Sequence, residues 1–279
     1  MAVKLLAMYG EKMMDKVLVP DGKSRTPLYS AASNGHMEIV KLLAPIPRSG
    51  LRNDPPGEIQ QQYLGEALQA SARAGELEIC QYLVMEGADI NFFRRGSGGF
   101  PPLFGAAGVG NLELVQFLLA SGADPNLKSQ HRSTPIFHAA NLDVAQALVA
   151  AGADIHTTDA MSQNVLYIEN IEFLCFFLER GVDSNIDDSI GNTPLHFACS
   201  VYNPDNAKAL VELLLQFGAA TVEKANRDGH TPVHVAMDEN HSEVVKVLEP
   251  FVRSPDLRAE IDAWSQGNST VQFLVGTSF

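Results

Sequence analysis

A chain of 279 residues, 46% of them hydrophobic, holds enough apolar side chains to fold, and its formal net charge of −13 sets it against a phosphate backbone. Basic residues gather no further than pairs such as Arg94–Arg95, so nucleic acid is a poor partner. The apolar run "FLCFFL" at 173–178 falls far short of the ~20 residues that span a bilayer, and the N-terminus offers no small-residue cleavage site, so neither membrane insertion nor secretion is expected.

In chain order, "VKLLAMYG" (3–10) reads as the second helix of a decayed half-unit that caps residues 1–23. "RTPLYSAASNGHMEIVKLL" follows from Arg25 as a helix–turn–helix, and a proline-rich loop then occupies 44–62. The same pattern returns as "GEALQASARAGELEICQYLVMEGADIN" from Gly65, "FPPLFGAAGVGNLELVQFLLASGADPN" from Phe100 and "STPIFHAANLDVAQALVAAGADIH" from Ser133. It continues as "QNVLYIENIEFLCFFLERGVDSN" from Gln163, "NTPLHFACSVYNPDNAKALVELLLQFGAA" from Asn192 and "HTPVHVAMDENHSEVVKVLEPF" from His230. After Arg253, "SPDLRAEIDAWSQ" reads as a closing helix within a C-terminal segment, 254–279.

The physics of the unit is uniform. Threonine caps the first turn, and proline at the first helical position sacrifices no hydrogen bond. Alanines such as Ala31–Ala32 and Ala106–Ala107 keep one face small, and the second helix carries an apolar stripe, as at Leu114, Val115, Leu118 and Leu119. Glycine then closes that helix, at Gly87, Gly122, Gly152 and Gly181. No unit buries its apolar stripe alone, so neighbours must stack.

Seven units, with threonine-equivalent positions at Thr26, Glu66, Pro101, Thr134, Asn164, Thr193 and Thr231, follow one another at 40, 35, 33, 30, 29 and 38 residues. This pattern resembles the ankyrin repeat, whose usual period is about 33, over residues 24–253. The resemblance implies an all-α solenoid of helix–turn–helix units joined by β-hairpin fingers. The fourth and fifth units lack three or four residues where the two helices normally turn, so short first helices are expected there.

Chemistry is sparse. Cys80, Cys175 and Cys199 form no CxxC pair, which speaks against a disulfide framework or a zinc site and for a reducing compartment, the cytoplasm or the nucleus. His196 and His234 stand at the TPLH position, where the family's imidazole hydrogen-bonds loop backbone, and His36 and His241 open second helices; all four read as structural. His131, His156 and His230 fall in fingers. No HExxH, GxSxG or phosphate loop occurs, and "NFFRRGSGGFPP" lacks the lysine and the strand a nucleotide loop needs. No catalytic residue, cofactor or metal is expected.

What the resemblance implies is a monomeric binding module that grips another protein with fingertips and first helices. The candidates are Phe92, Phe93, Arg94 and Arg95 on the longest finger, with Lys128, His131 and Asp187 on later ones. Phe104, Phe137 and Tyr167, together with Tyr29 and Gln69, stand on first helices. For Phe92 or Phe93 the alternative is packing on the stack. For the whole chain there are two alternatives: the recognition part of a larger regulator, such as a ubiquitin-ligase adaptor or an immune-type NTPase, or an enzyme with a cryptic site.

Overall fold

The computed structural model describes residues 26–45, 58–93 and 100–276, with side chains omitted at 58–59 and 268–276. The half-unit expected at 1–23 and most of the loop at 46–57 lie outside the described residues, as do Arg94 and Arg95. Thirteen α-helices and no strand occur among the described residues. They fall into two compact units, Met1–Asp154 and Ile155–Phe279.

In the first unit the helices pair as α1 (Pro27–Ser33) with α2 (Met37–Leu43), α3 (Glu58–Ala74) with α4 (Leu77–Met85), and α5 (Pro102–Val109) with α6 (Leu112–Ala120). A four-residue 3-10 helix, Pro135–His138, then pairs with α7 (Leu142–Ala150). The apolar stripes are fully withdrawn from water: Leu68, Leu83, Leu114, Leu118 and Leu148 are each 0% exposed. Burial of one such side chain contributes about 1.5–3 kcal/mol. Small residues set how closely first helices approach. A Cβ on Gly105 would lie 2.9 Å from the backbone nitrogen of Arg73, so α3 and α5 meet there only because position 105 has no side chain.

The loop expected over 44–62 is shorter than its sequence suggests. Residues 58–62 already belong to α3, which runs 17 residues, and Gln60 Nε2 donates to Ala44 O at 2.7 Å across the loop's ends.

In the second unit the fifth repeat keeps only its second helix, α8 (Ile171–Leu178). Its first helix is a single turn in which Tyr167 N donates to Asn164 O at 3.3 Å. The shortened sequence has no residues left for more. Then come α9 (Pro194–Ser200) with α10 (Pro204–Gln216), and α11 (Pro232–Asp238) with α12 (Ser242–Leu248). A 3-10 turn, Glu249–Phe251, leads to the closing helix α13 (Pro255–Gly276), which buries Leu257 and Ile261. The Glu223 carboxylate accepts Arg253 N at 2.7 Å and Ser254 N at 2.5 Å, and these bonds hold it below the usual carboxylate range.

Polar clamps join successive repeats. Asn91 donates to Gly122 O at 3.3 Å and accepts Asp124 N at 2.9 Å. Asn126 does the same with Gly152 O and Asp154 N, at 2.9 and 2.7 Å, and Asn185 with Gly218 O and Ala220 N, at 3.3 and 2.9 Å. Each asparagine therefore grips the backbone of the following unit's Gly-Ala-Asp turn or its counterpart. Asn111 and Asn141 work at the opposite end of the repeat. Each caps its own second helix and reaches back to the carbonyl of the preceding unit's turn, Gly75 at 3.3 Å and Gly110 at 2.9 Å.

Candidate protein-binding face

Four fingers have the same five-residue tip: Ser129–Ser133, Asp159–Gln163, Asp188–Asn192 and Asn226–His230. The first residue's N–H donates to the fifth residue's carbonyl at 2.9, 3.0, 2.8 and 2.8 Å respectively. The first side chain also closes the turn from within: Asp188 Oδ1 accepts Ile190 N at 3.0 Å and Asn192 N at 2.9 Å, and Asn226 Oδ1 accepts Asp228 N and His230 N at 3.0 Å. The fourth residue must take a left-handed backbone. Gly191 and Gly229 do so at φ 85 and 83, whereas Arg132 and Ser162 do so at 59 and 63, where a Cβ is strained.

The histidine slot of the first helix ties it to the next finger. His196 Nδ1 accepts Thr193 N at 3.0 Å, so its Nε2–H donates to His230 O at 3.1 Å. Burial holds this imidazole below its ordinary pKa, so it stays neutral. His234 Nδ1 accepts Thr231 N at 3.1 Å, and its Nε2 meets a carboxylate of the closing helix, Glu260 Oε2, at 2.8 Å. His241 is buried, with Nδ1 3.2 Å from Cys199 O, whereas His36 at the same slot is exposed.

Tyr167 fills the histidine slot of the fifth repeat. Its hydroxyl lies 2.5 Å from Asn192 O and 3.1 Å from Ile186 O, and burial pushes its pKa up. Asn164 replaces the missing threonine: Oδ1 accepts Leu166 N at 3.0 Å and Nδ2 donates to Asp183 O at 2.8 Å. In the fourth repeat the slot holds Phe137, which has no such group, and Thr134 Oγ1 is buried without a partner.

These placements divide the expected contact residues. Phe104 is 3% exposed and packs against Phe100 and His138, with ring centroids 5.5 and 5.2 Å apart, so it is a core residue and not a presented one. Phe92 is half-buried, and its ring covers Gly65 so closely that a Cβ there would lie 2.2 Å from Cγ. Phe92 therefore packs on α3. Gln69 donates from Nε2 to Phe92 O at 3.0 Å, which makes it a support of the finger. Phe93, Phe137 and Tyr29 are half-buried, and Asp187 is salt-bridged to Lys224 of the following finger. Lys128 and His131 are exposed.

Two residues outside the expected set join this region: Arg132, exposed at the left-handed tip position, and His138, whose Nε2 meets Ser133 Oγ at 3.2 Å. Arg132 was findable, because it stands in register with Gly191 and Gly229. Among the described residues no group of three or more His, Cys, Asp or Glu is arranged to hold a metal, and no helix is long and apolar enough to cross a membrane.

The chain belongs to the ankyrin repeat family: the family model for ankyrin repeats matches residues 1–94, 94–159 and 161–253. Ankyrin repeats generally mediate protein–protein interaction. The chain is 29% identical over 144 residues to Inversin from Canis lupus familiaris, covering 48% of this chain and 13% of Inversin. It is 30% identical over 114 residues to the E3 ubiquitin-protein ligase Ufd4 of Drosophila melanogaster, covering 37% of this chain and 4% of the ligase. It thus spans a small part of these relatives' length. Among solved structures, the human ASB11 ankyrin repeat domain shares the fold at a TM-score of 0.64 and 23% identity, covering 83% of this chain and 100% of that one.

Proposed function

We propose that this chain binds a partner protein through its fingertips and first helices and performs no catalysis of its own. The supporting observation is the finger design. Backbone and first-residue bonds hold each tip in one shape, while the exposed side chains differ from finger to finger: Lys128, His131 and Arg132 on one, Met161 and Ile190 on the next two, Arg227 and Asp228 on another. A fixed frame with variable side chains is how a repeat surface acquires specificity. The module acts as a monomer in the cytoplasm or nucleus, in keeping with its unpaired cysteines.

The test is affinity capture with the full chain as bait, followed by mass spectrometry, and titration of the captured protein against fingertip variants. A partner whose affinity is unmoved by every fingertip and first-helix substitution would refute the reading. A second reading makes the array the recognition part of a larger regulator such as a ubiquitin-ligase adaptor. It is favoured by the small share of Inversin and of the Drosophila ligase that the chain spans.

A further inference from the structure

In a chain of formal net charge −13, one of the described fingers, Asn126 to Thr134, carries the opposite sign at its tip. Lys128, His131 and Arg132 crowd onto and beside Ser129–Ser133, and all three are exposed. Among the described residues neither Lys128 nor Arg132 makes a salt bridge, whereas Lys224 pairs with Asp187 and Lys246 with Glu243. The finger's own acid, Asp124, turns Oδ1 to Asn126 N at 2.8 Å. These two cations are not committed within the fold.

The tip is also stiff. Ser129 N donates to Ser133 O at 2.9 Å, the two hydroxyls meet at 2.9 Å, and Arg132 N donates to Ser129 O at 3.0 Å. Arg132 holds φ 59 where the last two tips place Gly191 and Gly229, so the guanidinium stands on a backbone that disfavours a side chain. The exposed His138 brings its Nε2 within 3.2 Å of Ser133 Oγ at the end of the tip.

We infer that this tip, granted the protein-binding reading on which this rests, takes an acidic extended segment of the partner, with Lys128 and Arg132 receiving its carboxylates. A guanidinium on a rigid turn suits bidentate contact with a carboxylate and loses little freedom on binding. The chain's prevailing negative charge repels the same segment over acidic surface, so charge steers the encounter toward this tip. A nucleic acid is disfavoured, because its many phosphates extend past one tip and meet that negative charge.

The test is selection from a displayed random peptide library on the immobilised full chain, run in parallel on wild type and on Lys128→Gln/Arg132→Gln. Glutamine keeps the Cβ at the strained position, and equal melting midpoints establish that both chains are folded. Wild type should enrich peptides rich in Asp and Glu whose affinity weakens as salt is raised. The double variant should bind them about tenfold or more weakly, while Lys246→Gln leaves them unchanged. Enrichment of neutral or basic peptides, or equal binding of acidic peptides by the double variant, overturns the inference and leaves the binding-module reading intact. Enrichment of nothing by wild type overturns both. Tighter binding of a single-stranded oligonucleotide than of any acidic peptide, lost in the double variant, also overturns it by making phosphate the ligand.

Discussion

The Tyr167 hydroxyl lies 2.5 Å from the carbonyl of Asn192, the same place in the repeat that His196 reaches at His230 O. Two chemically different side chains make one inter-repeat bond. Tyr167→Phe should therefore destabilise the protein by about 0.5–1.5 kcal/mol in urea melts, the net worth of one hydrogen bond, because Asn192 O keeps its bond from Asp188 N. A change within a few tenths would show that the hydroxyl holds nothing.

Thr134 and Thr193 should respond in opposite ways to one substitution. Thr134 Oγ1 is buried and unpartnered, so Thr134→Val removes a desolvated hydroxyl and should be neutral or stabilising by up to about 1 kcal/mol. Thr193 Oγ1 lies 2.9 Å from His196 Nδ1 and accepts from Thr221 Oγ1 at 3.2 Å, so Thr193→Val should cost about 1–3 kcal/mol. Equal losses at both sites would contradict this account.

The architecture and the second helices were legible in the sequence, because the repeat period and the apolar stripes act locally. What escaped reading depends on partners far away in the chain. The clamps by Asn91, Asn126 and Asn185 are visible only when the next repeat's backbone is present. Phe104 looked like a surface aromatic from its place in the repeat alone, the slot that holds Tyr29, Tyr167, His196 and His234 elsewhere, yet Phe100 and His138 close over it. The fourth and fifth repeats were expected to have short first helices. Removing three or four residues shortens one to a 3-10 turn and leaves the other as a single turn.

Gly65 and Phe92 form a pair whose energies should not add. Phe92→Ala loses the ring's packing and should cost about 1–3 kcal/mol. Gly65→Ala drives a methyl into that ring and should cost about 1–3 kcal/mol as well. The double variant has room for the methyl and a better helix former at position 65, so it should be more stable than Phe92→Ala alone. A double variant that simply sums the two losses in denaturant melts would show that the ring does not rest on Gly65.

Acid should weaken the fold through His196. Its folded pKa lies below the ordinary value, so the unfolded chain binds the proton first. Its share of stability is full above about pH 6.5 and is lost as pH falls toward the folded pKa, by at most about 1.4 kcal/mol per pH unit. Urea melts between pH 7.5 and 5.5 should show this slope, and His196→Gln should flatten it. An unchanged slope in the variant would assign the effect to other groups.

Thiol labelling should separate the cysteines. Cys175 is half-buried, whereas Cys80 and Cys199 are 0% exposed, and burial pushes the Cys80 thiol up to about 11 and that of Cys199 up as well. One group should react in the native protein and all three after unfolding without reductant. Fewer than three in the unfolded chain would reveal a disulfide.

The asparagine clamps grip main-chain atoms alone, N–H on one side and C=O on the other. These joints are thus blind to what the fingertips display. Tip residues are free to drift under selection for a new partner while the joints stay intact, and a duplicated repeat arrives with a working joint already in its sequence. In the three fingers that carry it, Asn91, Asn126 and Asn185, a single asparagine therefore separates the evolution of recognition from the upkeep of the scaffold.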